Sequence, residues 1–126
     1  MTTLFDKLLF DPRLALLRGG VFFALLLIIT WLALTPQPPR QATLGWDKAN
    51  HASAFATLTL VMRLAWPRLS WLFVALTLIA YGGAIELIQT QIPPREGDWF
   101  DLLADGVGVG IGQGLLGWLL RLKACR

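Results

Sequence analysis

Hydrophobic positions along the chain fall into four long blocks, separated by breaks that carry proline and charge. The first, Val21 to Leu34, follows Asp11-Pro12, which reads as an N-cap and first helical position, and it ends at Pro36, Pro38 and Pro39. The second runs from about Asp47 to Trp66 and is stopped by Pro67. The third runs from about Leu69 to Gln91 and is stopped by Pro93 and Pro94. The fourth runs from about Asp101 to Leu120. A helix crosses a bilayer with about 20 mostly apolar residues. The pattern therefore predicts an all-α fold, a four-transmembrane-helix bundle with spans at about 13–35, 47–66, 69–91 and 101–120. Helices two and three are expected to form an antiparallel hairpin.

Composition supports a lipid environment. The 126 residues are 56% hydrophobic and 15% charged, too apolar for an ordinary soluble domain of this length. Four spans with short connections use the whole chain, so residues 1–126 are read as one membrane domain. Lys7, Arg13 and Arg18 before the first block resemble a signal-peptide start. Pro36 follows at once and there is no small-x-small cleavage site, so the block is read as a retained span. The single cysteine, Cys125, excludes an intrachain disulfide. A formal charge of +3 raises the question of nucleic acid, but the basic residues are scattered at helix ends rather than run together, and no nucleic-acid partner is expected.

Charge placement sets the expected orientation, because cytoplasmic segments carry the Lys and Arg excess. Lys7, Arg13, Arg18, Arg63, Arg68, Arg121, Lys123 and Arg126 fall on one side, and Arg40, Lys48 and Arg95 on the other. Eight against three places both termini in the cytoplasm of a bacterial inner membrane. Trp31, Trp46 and Trp99 then mark the outer boundary, and Trp66, Trp71 and Trp118 the inner one. The acids fall the opposite way: Asp47, Glu86, Glu96, Asp98, Asp101 and Asp105 lie outside, and only Asp6 and Asp11 inside. Orientation does not require that bias, since acids contribute little to it. Within the fourth helix, Gly106, Gly110 and Gly114 share the spacing that lets membrane helices approach closely, as do Gly108 and Gly112, so this helix is expected at the centre of the bundle.

Three helices deliver ionisable side chains to the same depth on the outer side. Asp47, His51 and Phe55 are four apart and share a face, with Lys48 one position round. Glu86 and Gln89 are three apart near the end of the third helix, and a rise of ~1.5 Å per residue puts Glu86 roughly 7 Å below Gln91, inside the membrane. Asp101 and Asp105 are four apart at the start of the fourth helix, where negative charge suits the N-terminus. Arg95, Asp98 and Trp99 lie in the loop above.

Each residue alone has a plain reading. His51 and Gln89 read as interhelical hydrogen-bonders, Glu86 as a partner of Lys48 or Arg95, Asp101 as a helix anchor, and Arg63 as a side chain snorkelling to the inner interface. Phe55, Trp31 and the glycines read as packing residues. The convergence favours function, because a charge within a span costs about 2.5–3.5 kcal/mol on insertion scales and such groups usually face the bundle interior. His51, Glu86, Asp101 and Asp105 are donor types that a divalent ion accepts. Their spacing matches no dedicated motif such as HExxH, so no metal site or cofactor is assigned from sequence. There is no Gly-rich phosphate loop, serine elbow or cysteine cluster.

At these residues the chain resembles the VanZ-like family of small integral membrane proteins. The resemblance begins at Thr35-Pro-Gln-Pro-Pro and continues with Asp47-Lys48-x-x-His51-x-x-x-Phe55-x-x-Leu58 and Gly82-x-x-x-Glu86-x-x-Gln89. It goes on through Pro93 and Arg95 and closes with Asp101-x-x-x-Asp105-x-x-Gly108-x-x-x-Gly112. One departure is Asp105, where the family usually has Asn; a second acid beside Asp101 either keeps a proton on one carboxyl or invites a cation. The resemblance implies an envelope role, with glycopeptide (teicoplanin) resistance as the expectation attached to the family's name.

Three functions follow as expectations. In the first, Asp47, Lys48, His51, Glu86, Gln89, Arg95, Asp98, Asp101 and Asp105 form a polar pocket that binds or remodels a membrane lipid, a lipid-linked cell-wall precursor or a glycopeptide. Lys48, His51 and Arg95 would meet its phosphate or carboxylate. In the second, the protein is a membrane-embedded hydrolase or transferase acting on a lipid head group, with Glu86 and His51 as acid/base pair and Asp101 with Asp105 orienting them or holding a metal. A small lipid transporter ranks last, because the inner halves of these helices are almost purely apolar.

Overall fold

A computed structural model describes residues 3–42 and 45–125. Arg126, counted above among the basic residues, lies outside them. The described residues are all-helical, with no strand: α1 (Leu4–Phe10), a 3-10 turn (Pro12–Leu14) leading into α2 (Ala15–Leu34), a second 3-10 turn (Arg40–Ala42), α3 (Asp47–Ala65), α4 (Trp71–Gln89) and α5 (Trp99–Ala124). The four long helices fall within a few residues of the expected blocks. The short α1 was not anticipated, although its signal is Thr3-x-x-Asp6, a reciprocal cap in which each residue's side chain accepts from the other's backbone amide. Asp11 caps the turn at Pro12 as expected, its carboxylate accepting from the Arg13 amide at 2.9 Å.

Among the described residues, three helices are long and apolar enough to cross a membrane: Pro12–Leu34, Trp71–Gln89 and Trp99–Ala124. α3 has comparable length but carries Asp47, Lys48, Asn50, His51 and Arg63, and its hydrophobic content is lower. The other helices shelter it. α3 packs against α2, α4 and α5, and it buries Phe55, Leu58, Thr59, Met62, Leu64 and Ala65.

The central position thus belongs to α3 rather than to α5, which packs against α3 and α4. Only one of the two glycine series makes the close approach. A Cβ on Gly108 would collide with the Ala52 carbonyl, and one on Gly112 with the Ala56 carbonyl and the Thr59 side chain, whereas Gly110 and Gly114 face open space and Gly106 has ordinary room beside Ile79. The middle of the bundle is dry packing of Phe22, Phe55, Leu58, Met62, Val74, Leu78 and Val109. Trp31, Trp46, Trp71, Trp99 and Trp118 are exposed, while Trp66 is drawn inward against the rings of Phe22 and Phe23 on α2.

The two ends of the bundle carry opposite charge. At the basic end Arg18 is buried, donating from Nε to the Leu64 carbonyl at 2.8 Å and from Nη1 to the carbonyls of Leu8 and Asp11. Arg63 does not simply reach out along the interface, as expected: its Nη1 donates to the Leu69 carbonyl and closes the corner between α3 and α4.

Candidate functional site at the acidic end

The acidic end is built by the N-termini of α3 and α5 and the C-terminus of α4. Asp98 caps α5, accepting from the Phe100 amide at 2.9 Å. Asp101 and Asp105 follow on the face that meets α3. The Gly108–Ala52 approach brings the two backbones close enough for His51, one turn into α3, to reach Asp105. α4 approaches by the same device, since a Cβ on Gly82 would meet the Asp105 carboxylate and the Phe55 ring.

His51 is the hub. Its Nδ1 lies 2.8 Å from Asp105 Oδ1, and Asp105 is fully buried. With Nδ1–H donated there, Nε2 faces three further acids: Asp101 Oδ2 at 3.7 Å, Asp47 Oδ2 at 3.9 Å and Glu86 Oε1 at 4.0 Å. Glu86 is only 1% exposed. Its Oε2 accepts from the Asp98 amide at 2.9 Å, while Glu86 Oε1 and Asp105 Oδ2 have no hydrogen-bond donor among the described residues. Lys48 closes the rim, with Nζ 3.1 Å from Asp98 and 3.4 Å from Asp101. The Phe100 amide and the Lys48 ammonium hold the Asp98 carboxyl below the usual carboxylate range.

Seven of the nine candidate residues, Asp47, Lys48, His51, Glu86, Asp98, Asp101 and Asp105, meet in this cluster. Gln89 and Arg95 do not. Gln89 donates to the Ala33 carbonyl at 2.8 Å, and Arg95 donates to the carbonyls of Thr35 (3.0 Å) and Leu32 (2.7 Å). They satisfy the last carbonyls of α2, which have no partner within their own helix. The expected pairing of Glu86 with Lys48 or Arg95 therefore does not form, because Lys48 is taken by Asp98 and Asp101 and Arg95 by α2.

Beside the cluster lies a cavity of about 290 Å³ between α2, α3 and α4. Asp47, Asn50, His51 and Arg95 form its polar part, and Ile29, Leu32, Phe55, Tyr81 and Ile85 its apolar walls. Sequence reasoning missed Asn50 and Tyr81. Asn50 shares a face with Asp47 at i+3, a legible signal. Tyr81 left none, because its role depends on Thr30 of α2: the two hydroxyls are 2.7 Å apart, and Thr30 itself donates to the Leu26 carbonyl.

Comparison with known protein families matches most of the chain. The model of the family described as VanZ/LLP1 matches residues 20–121, which contain every residue of the cluster and of the cavity. No curated protein and no solved structure matches significantly.

Proposed function

This chain belongs to the VanZ/LLP1 family of membrane proteins, and from that premise we propose that it holds the head group of an envelope lipid, or of a lipid-linked cell-wall precursor, in the cavity at its acidic end. The observation that carries this reading is the cavity's division into a polar part and an apolar part within helices suited to a membrane. A head group would meet His51, Asn50 and Arg95, while the first carbons of a chain would lie along Ile29, Leu32 and Ile85. Ligand sites are commonly apolar clefts of this size with a few placed polar groups.

In the same proposal α3 completes a fourth span, made tolerable by its burial among α2, α4 and α5, and residues 1–126 form a single domain. The basic end faces the cytoplasm with both termini, and the acidic end faces the outer side of a bacterial inner membrane, following the Lys/Arg bias. Glycopeptide resistance would follow from occupancy or alteration of a precursor head group.

The test is binding of a polyprenyl phosphate and of phosphatidylglycerol to purified protein in detergent. Ile85→Trp fills the apolar wall while keeping every charged residue and is expected to weaken binding at least tenfold. Equal binding by wild type and Ile85→Trp would contradict the assignment to this cavity.

A second reading, an enzyme acting on the head group, is favoured by one observation: Glu86 Oε1 stands 4.0 Å from His51 Nε2 with no donor of its own. Glu86 would act as general base or acid and His51 as its partner. Glu86→Gln should then abolish turnover of an envelope lipid while leaving lipid binding within about twofold. Retained turnover would remove Glu86 from that role.

A further inference from the structure

The geometry points to a divalent-cation site in the cluster, with His51 Nε2, Asp47 and Asp101 as protein ligands. Asp105 is the residue that fixes the histidine. One donor atom from each of these three ligands lies within 4.8 Å of the others. They come from the first turns of two helices whose approach is fixed by Gly108 and Gly112.

The alternative is an ion-pair network, with His51 as an imidazolium. An imidazolium N–H selects one acceptor at hydrogen-bonding distance, as Nδ1 does with Asp105 at 2.8 Å. Nε2 does not. Its three acidic neighbours stand at nearly equal distances of 3.7, 3.9 and 4.0 Å, all beyond a hydrogen bond. Metal–ligand bonds of about 2.0–2.2 Å place adjacent donor atoms about 3.0–3.5 Å apart and opposite ones about 4.2 Å apart. His51 Nε2 stands 3.7 Å from Asp101 and 3.9 Å from Asp47, a few tenths of an ångström wider than adjacent donors, a gap that side-chain rotation closes.

The pair Nδ1–H to Asp105 is the carboxylate–histidine arrangement that orients a metal-binding imidazole and presents Nε2 as its ligand atom. Asp105 suits this role, because an aspartate is a stronger acceptor for Nδ1–H than an asparagine would be. A second and independent observation comes from α4. Glu86, 1% exposed, directs an oxygen with no donor at the same nitrogen, and an ion with its bound water would supply that oxygen with a partner.

One imidazole with two or three carboxylates suits a first-row transition ion such as Mn²⁺, Fe²⁺ or Zn²⁺ better than Ca²⁺, which takes six to eight oxygens. Lys48 and a divalent ion together offset most of the charge of five clustered acids. The site goes beyond the lipid-pocket reading and does not depend on it.

The chain has a single histidine, so a nitrogen signal from a bound ion identifies its ligand without any variant. Full-length protein without a polyhistidine tag, stripped with chelator in detergent, is titrated with Mn²⁺ and read by pulsed EPR. The expected result is one Mn²⁺ per chain showing coupling to one imidazole nitrogen. Asp101→Asn should weaken binding at least tenfold, and Asp105→Asn about 10–100-fold. Less than one tenth of an equivalent bound, binding without nitrogen coupling, or unchanged affinity in Asp101→Asn would each overturn the site.

Discussion

The two ends of the bundle bury charge in different ways. At the basic end Arg18 is held by carbonyls of three other segments, Leu8 on α1, Asp11 before the 3-10 turn and Leu64 on α3. It ties the start of α2 to α1 and to the end of α3, and it serves backbone oxygens at helix ends. At the acidic end the groups converge on each other instead. Four carboxylates surround one imidazole, two of their oxygens have no donor among the described residues, and Lys48 sits at the rim of the cluster. A buried charge that completes backbone hydrogen bonding is explained by the fold. A cluster of like charge is not, because its members repel one another and Glu86, Asp101 and Asp105 have been taken from water. The contrast separates an arginine that completes backbone hydrogen bonding from a group of acids that does not, although both are charges inside a membrane protein.

The contrast predicts a graded set of outcomes. The largest effect is expected at the basic end, where Arg18→Ala removes three hydrogen bonds from a charged donor; at about 1.5–3 kcal/mol for such bonds, it should lower unfolding stability by roughly 3 kcal/mol or more in detergent. Next, Gly108→Ala forces the α3 and α5 backbones apart and should cost about 1–3 kcal/mol, as overpacking does. Gly110→Ala, facing open space, should cost nothing measurable in the same unfolding assay. Equal effects of the two alanines would mean that the helices do not meet where described.

The smallest effect belongs to the rim. Asp98 has a folded-state pKa below its ordinary value, so its contribution is fully present above the unfolded-chain value of about 3.9 and is lost as pH falls through the folded one. An NMR titration of the Asp98 carboxyl should give a midpoint below 3.8. In Lys48→Ala the midpoint should move upward but stay depressed, because the Phe100 amide, the larger cause, remains.

Much of this arrangement was legible from spacing. Proline stops and apolar runs located the four long helices, and intervals of three and four placed Asp47 with His51 and Asp101 with Asp105. Periodicity could not say which glycine series of α5 meets a neighbour, because both repeat every four residues. The partner decides, since Ala52 and Ala56 on α3 are themselves small and four apart, and they receive Gly108 and Gly112. Arg18, Gln89 and Arg95 were harder to read because their partners are backbone carbonyls far along the chain, and a carbonyl leaves no mark in a sequence. The proposed ligand set combines an interval of four on α3 with a residue fifty positions further on. Spacing brought these groups to one depth, and the folded approach of the two helices decides which of them lie around His51.

The central claim is that the acidic cluster serves a ligand rather than holding the helices together. Thermal unfolding of wild type beside Glu86→Gln, Asp101→Asn and Asp105→Asn, in matched detergent and without added metal, tests it most directly. Each substitution keeps side-chain size and one acceptor oxygen while removing one of the clustered acidic groups. Unchanged or raised melting temperature in all three is the predicted result, as expected for residues retained at a cost to folding. A fall in all three equivalent to about 3–5 kcal/mol, the cost of breaking buried pairs, would show that the cluster is structural and contradict the account.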